Sequence, residues 1–293
     1  MTDPYLPTRA NAPHDTIWFE TQPRHLAGRG DPRHITQALR AAGWANRSDP
    51  AFPHVLLVSP DYRHSVVLEP DPEPYGAWWR IRGQEEDGRR WYTEFGAHTP
   101  VEILAHLTDA LLEPAPEQTP PIWSPLTAAG WSYERDEHGN ETARHPDGIL
   151  SLERWSVEPG ETFHWRAQAA LPGGGGGFER IWHAYLDDQM PPHLIAAFTT
   201  ALASGEPVQR SMYDVPHSHL VTQEQRGPQG EQLAAAHEVR LKAIRAAARK
   251  AALTTGPPAP LAAPATPAPR PGPLTSRAAL PPGSPPSPVP SFV

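Results

Sequence analysis

The chain has 293 residues, 38% hydrophobic and 20% charged, a formal net charge of −8 and no cysteine. That length allows more than one core, and the lack of cysteine excludes disulfides, thiolate nucleophiles and Cys-ligated zinc. All ten Trp lie between Trp18 and Trp182, whereas residues 254–293 hold 14 Pro, so only the first part carries core-forming residues. Residues 231–293 carry seven Lys/Arg against two Glu, a net +5, which leaves −13 on residues 1–230. An acidic body of this kind repels nucleic acid in general.

Residues 1–24 read as an N-terminal extension. "MTDPYLPTRANAPHD" has no basic stretch followed by an apolar run, and no segment approaches the length of a membrane span, so a cytoplasmic protein without membrane contact is expected. The first unit, residues 25–113, opens on "GDPRHITQALRAAGW", in which Asp31 is placed to cap a helix with Pro32 at its first turn. Gly43 ends that helix, and Trp44 follows as a hydrophobic anchor. A turn at Ser59–Asp61 leads into a strand with Val66 and Leu68 on one face. In "WWRIR", alternation sends Trp79 and Ile81 inward and lines Trp78, Arg80 and Arg82 along the other face. "RRWYTEF" reads as the last strand. Thr99, Pro100 and Glu102 spell a capping box before a helix with an apolar stripe of Ile103, Leu107, Ala110 and Leu111.

A Pro-rich linker, residues 114–122, precedes a second unit, residues 123–210, which repeats this grammar. "WSPLTAAGW" answers the first helix, with Ser124 and Pro125 in place of Asp31 and Pro32 and with Gly130 and Trp131 at its end. His145–Asp147 answers Ser59–Asp61, Leu150 and Leu152 answer Val66 and Leu68, and "HWRAQ" puts Trp165 and Ala167 inward with Arg166 equivalent to Arg80. Leu194, Phe198, Ala201 and Leu202 repeat the closing stripe. Met190 stands where the first unit has Thr99, which predicts a helix start weaker by about 1 kcal/mol. Each unit thus reads as helix, antiparallel four-stranded meander, helix, an α+β fold in two tandem copies, each with its own interior. Residues 211–230 form a junction, residues 231–253 a basic helix, and residues 254–293 a disordered Pro/Ala-rich tail.

"HLAGRGDPRHITQALRAAGW", "SPDYRHSVVLEPDP", "WWRIRG" and "EFGAHTPVEILAHLTDAL" closely resemble the actinobacterial, mainly streptomycete, family catalogued as domain of unknown function 317. The similarity covers about His25–Arg210, both copies. Members of that family carry the unit in tandem, and the resemblance brings no activity, cofactor or catalytic residue with it.

No GxSxG elbow, phosphate-loop signature, HExxH or GxGxxG is present, so no catalytic, cofactor-binding or metal residue is assigned and no cofactor is expected. Gly173–Gly177 reads as a hairpin loop. Asp214, His217 and His219 have a spacing that suits two ligands on an extended segment, but a third ligand is missing and a solvated loop is expected. His164 and His183 occupy positions that hold Trp78 and Tyr92 in the first unit. The acidic runs Glu69–Pro74 and Glu85–Gly88 fall in turns, where water keeps carboxylates ordinary.

Trp78, Arg80 and Arg82, with Arg166 as a second instance, are the candidate binding surface, because Arg beside an accessible Trp can hold a planar anion or stack on a ring. The bland alternative is that Arg stems cover Trp78, or that this face packs on the other unit. The leading functional reading is a non-enzymatic binding or adaptor protein for an unidentified protein or small ligand. A second is an enzyme with its site in the cleft between units. A third is nucleic-acid association through Lys242, Arg245, Arg249 and Lys250 of the basic helix. Units side by side would join their outer faces, and units back to back would bury them.

Overall fold

The computed structural model describes residues 16–70, 76–156, 163–173 and 177–255. The Pro-rich tail beyond Thr255, the first fifteen residues and parts of the Glu69–Pro74 and Gly173–Gly177 loops lie outside the described residues. The protein mixes helix and sheet. β1 (Trp18–Gln22) and a 3-10 turn (Arg24–Leu26) precede α1 (Arg33–Ala41), which is followed by β2 (Ala45–Asn46), β3 (Val55–Val58), β4 (His64–Leu68), β5 (Ala77–Gln84), β6 (Arg90–Gly96) and α2 (Val101–Ala110). The second half runs α3 (Ser124–Ala128), β7 (Ser132–Arg135), β8 (Glu141–Arg144), β9 (Leu150–Trp155), β10 (His164–Pro172), β11 (Phe178–Asp187) and α4 (Pro192–Ala203). β12 (Val208–Ser211), β13 (Thr222–Glu224) and α5 (Gly230–Thr255) close the described chain.

Each half contributes five strands, not the four expected. β2 and β7 are short segments directly after the helix-ending Gly, where Trp44 and Trp131 turn the chain back toward the sheet. All ten strands form one sheet in the order β2-β3-β4-β5-β6-β11-β10-β9-β8-β7. The halves meet through their last strands, with Glu94 opposite Tyr185 and Thr93 opposite Leu186 in an antiparallel ladder. Thr93 Oγ donates to the Tyr185 carbonyl at 2.7 Å across this seam. The units therefore lie side by side.

One core runs through both halves, which corrects the expectation of separate interiors. Trp79, Ile81, Trp91 and Phe95 of the first half join Trp165, Ala167, Trp182 and Leu186 of the second under the helices. Phe95 of β6 meets Phe198 of α4 with ring centroids 5.7 Å apart. A sheet closed on only one side forces this sharing, because the buried faces of the two central strands are continuous.

The helix ends follow local chemistry. Gly43 and Gly130 take φ of 95° and 85°, and the amides of Trp44 and Trp131 reach back to the carbonyls of Leu39 and Leu126 at 3.1 Å. Asp31 Oδ1 accepts the Arg33 amide at 2.9 Å, as expected of a cap. Three expected helix starts differ. Ser124 lies inside α3 and supplies no cap. The capping box of α2 does not form: Thr99 Oγ points to the His183 carbonyl at 3.5 Å, and the Glu102 carboxylate is bound by Arg210 of β12 instead. Because α2 has no side-chain cap either, Met190 before α4 costs no cap; its side chain is 1% exposed and fills core.

β1 pairs with β12 and β13 in a second, three-stranded sheet, so part of the N-terminal extension and of the junction is built into the body. α5 packs on α1, with Leu241 buried, Arg240 on the Asp109 carboxylate (2.6 and 2.8 Å) and on the His34 carbonyl (2.8 Å), and His237 2.8 Å from Gln37. No described helix is long and apolar enough to cross a membrane.

Candidate functional site

From Trp79 to Gln84 strand alternation operates as the pattern requires: Trp79, Ile81 and Gly83 are buried, Arg80 is half-buried and Arg82 is exposed on the outer face. The register shifts between Ala77 and Trp79, and the half-buried Trp78 between them packs against the core. Register then brings the two halves together on that face. Arg80 stands opposite Glu94, Glu94 opposite Tyr185, Tyr185 opposite Arg166, and Arg166 opposite Glu153, a single row from β5 to β9. Arg80 and Arg166 are thus about 14 Å apart on one surface. Arg82 lies over Tyr92, Arg166 over Trp155 and Arg29 over Trp78, with distances of 5.8, 5.1 and 4.9 Å to the ring centroids.

The charges on this face are matched. Arg80 binds Glu69 at 2.7 Å and Arg166 binds Glu153 at 2.6 Å. Tyr92 donates to Glu94 at 2.6 Å; burial, then this bond, pushes its hydroxyl up to about 12, so it stays a protonated donor. Tyr185, raised by burial first, shares a 2.7 Å hydrogen bond with His164 Nδ1. His164 and His183 both stand on this outer face, His183 packed over Gly96.

The other candidates disperse. Lys242, Arg245, Arg249 and Lys250 are all exposed on α5, and Arg245 approaches Glu238 at 3.9 Å. The residues that dock α5, His237 and Arg240, are different ones. His217 and His219 have ring centroids 6.2 Å apart, and the Asp214 carboxylate takes the Ser211 hydroxyl at 2.6 Å, so this loop gathers no ligand set. Glu85 accepts the Trp91 indole N–H at 2.8 Å, and Asp87 closes its turn on Arg89.

Sequence reasoning missed a second site. His25, in the 3-10 turn after β1, meets His145 and Asp147 from the β8–β9 turn. His25 Nε2 lies 2.8 Å from one Asp147 oxygen and His145 Nδ1 2.8 Å from the other, with the two imidazole centroids 4.7 Å apart. Among the described residues this is the one cluster of three or more such groups, its candidate ligand atoms all within 4.8 Å of one another. His25 is 5% exposed, its carbonyl held by the Trp182 indole N–H at 2.7 Å, and its ring is lowered from the usual imidazole value by burial, against the pull of Asp147. Burial alone would raise the Asp147 carboxyl, but hydrogen bonds from His145, His25 and the Ile149 amide hold it well below the ordinary range. His25 and His145 line a half-open cleft of about 530 Å³ together with Trp131, Ile103 of α2 and residues 201–205 at the end of α4. The only sequence signal was the change from Ser59 to His145 between equivalent turns.

Comparison with known proteins places this architecture in a family context. The family model SPDY, described as a domain of unknown function (DUF317), matches residues 58–117 and again residues 144–208. No curated protein and no solved structure matches the chain.

Proposed function

We propose, from the premise that the chain carries the DUF317 domain in two copies, that it is a non-enzymatic binding protein of the cytoplasm whose protein partner docks on the outer face of the ten-stranded sheet. The observation that carries this reading is the row from Arg80 to Glu153, which neither copy builds alone. Tyr, Trp and Arg are the residue types that dominate protein interfaces, and here they alternate with carboxylates. Because Arg80 and Arg166 already hold Glu69 and Glu153, the face offers a partner matched donors and acceptors rather than net positive charge for a phosphate backbone.

A photo-cross-linking residue at Arg82 tests this in the native host. The expected result is a protein adduct that disappears when Trp78→Ala and Arg80→Ala are added to a chain with unchanged melting temperature, and that is not formed from a cross-linker at Glu231 on α5. Adducts equal from both positions, or none, would end the reading. The rival enzyme reading is favoured by one observation, the cleft lined by His25 and His145, which share the Asp147 carboxylate.

A further inference from the structure

We infer that His25, His145 and Asp147 form a binding site for a divalent transition metal of the zinc class, with its remaining coordination positions open to the adjoining cleft. The inference is independent of what the sheet face binds. Two imidazoles and one carboxylate make a donor set of intermediate softness suited to Zn²⁺, and a site with three protein ligands leaves room for water or a substrate atom. Bonds of about 2.0–2.2 Å at tetrahedral angles need donor atoms about 3.3 Å apart. The His–Asp separations of 2.8 Å and a spread of no more than 4.8 Å over the three candidate ligand atoms bracket that value.

Three features single the cluster out from a chance surface grouping. First, His25 comes from a position more than a hundred residues before His145 and Asp147, and it is buried. Second, the Ile149 amide donates to Asp147 Oδ1 at 2.9 Å and so orients the carboxylate, as outer partners do in metal sites, while the Trp182 indole holds the His25 backbone through its carbonyl at 2.7 Å. Third, the closure of this turn does not need His145. The equivalent turn of the first half closes with Ser59 Oγ on Asp61 at 2.6 Å and no histidine.

Each 2.8 Å gap between a ring nitrogen and a carboxylate oxygen is bridged either by an imidazole N–H or by a metal. The experiment separates them. The full chain is stripped with a chelator and titrated with Co²⁺, then with Zn²⁺. The expected result is one Co²⁺ per chain with visible ligand-field absorption, bleached by Zn²⁺. His145→Ser, which copies the first half's own solution and should therefore fold, is expected to weaken Co²⁺ binding roughly 100-fold with an unchanged metal-free melting temperature. His219→Ala is expected to bind as the wild type does. Absence of cobalt absorption in the wild type, wild-type affinity in His145→Ser, or loss of binding in His219→Ala would each overturn the assignment.

Discussion

In the first half the turn before β4 is closed by Ser59 and Asp61; in the second the same turn, before β9, is closed by His145 and Asp147. What stays constant between the halves is what the backbone demands. Gly43 packs against Pro60 as Gly130 packs against Pro146, at 3.7 and 4.0 Å from the position of a notional Cβ, and both glycines occupy left-handed conformations. What changes lies where the halves face different neighbours. α1 is covered by α5, whereas the end of α3 borders the cleft that holds His25. A duplicated scaffold thus keeps its turns and varies the side chains that meet unequal surroundings, and those variable positions are where function is to be sought.

The largest asymmetry is at the closing helices. Arg210 is 3% exposed and grips Glu102 of α2 through two bonds of 2.7 and 2.6 Å while also donating to the carbonyls of Ala27 and Gly28. The position in α4 equivalent to Glu102 is His193. Arg210→Ala is expected to cost about 3 kcal/mol in urea unfolding at pH 7, since it leaves a carboxylate three-quarters covered without a partner. Burial would raise the Glu102 carboxyl, but Arg210 holds it below its ordinary 4.5. Its contribution is therefore present above that value and lost as pH falls through the folded one. The gap between wild type and variant should narrow toward acid; a gap independent of pH would break the assignment of the pair as the anchor of α2.

Next comes the packing under the equivalent indoles. A Cβ at Gly83 would overlap the Trp91 ring, whereas in the second half Trp182 pairs with Ala169 and the register shifts between Ala169 and Ala170. Gly83→Ala is expected to cost about 2 kcal/mol and to perturb the near-ultraviolet signal of Trp91. Ala169→Gly should cost no more than about 1 kcal/mol. Equal losses would show that the bulge does not relieve the crowding. A smaller effect is expected at the seam, where Thr93 bonds across to Tyr185 but its own counterpart is Ala184. Thr93→Val should cost about 1 kcal/mol, read by chemical denaturation.

Much of the scaffold was legible because it rests on short-range rules. Capping Asp31, the Gly-Trp helix ends and the alternation from Trp79 to Arg82 are all set by neighbours within a few residues. The joining of β6 to β11 was not legible, because an antiparallel ladder between distant strands leaves no local mark beyond alternation itself. The same holds for Glu102, which has the spacing of a capping box but finds a stronger partner in Arg210, over a hundred residues away. The outer-face residues Arg80, Arg82 and Arg166 could be placed on a face, yet the meeting of Arg80 and Arg166 in one row depended on that unseen seam. Of the second site only the change from Ser59 to His145 between equivalent turns was visible; His25 is unremarkable in its own segment, and only the fold brings the two histidines to one carboxylate.

The smallest effect tests the basic helix that covers only the first half. Its docking rests on Arg240, His237 and Leu241, whereas Lys242, Arg245, Arg249 and Lys250 point to solvent. Changing these four to Gln is expected to move stability by no more than about 0.5 kcal/mol. Four phosphate contacts would give duplex DNA binding a log-log salt slope of about −3.6, abolished in the variant. The acidic body, at −13 over residues 1–230, opposes such contacts. The intact chain is therefore expected not to be retained on DNA at physiological salt. Retention with the full slope, lost on neutralisation, would move the binding role from the joined sheet face to the helix that only one half possesses.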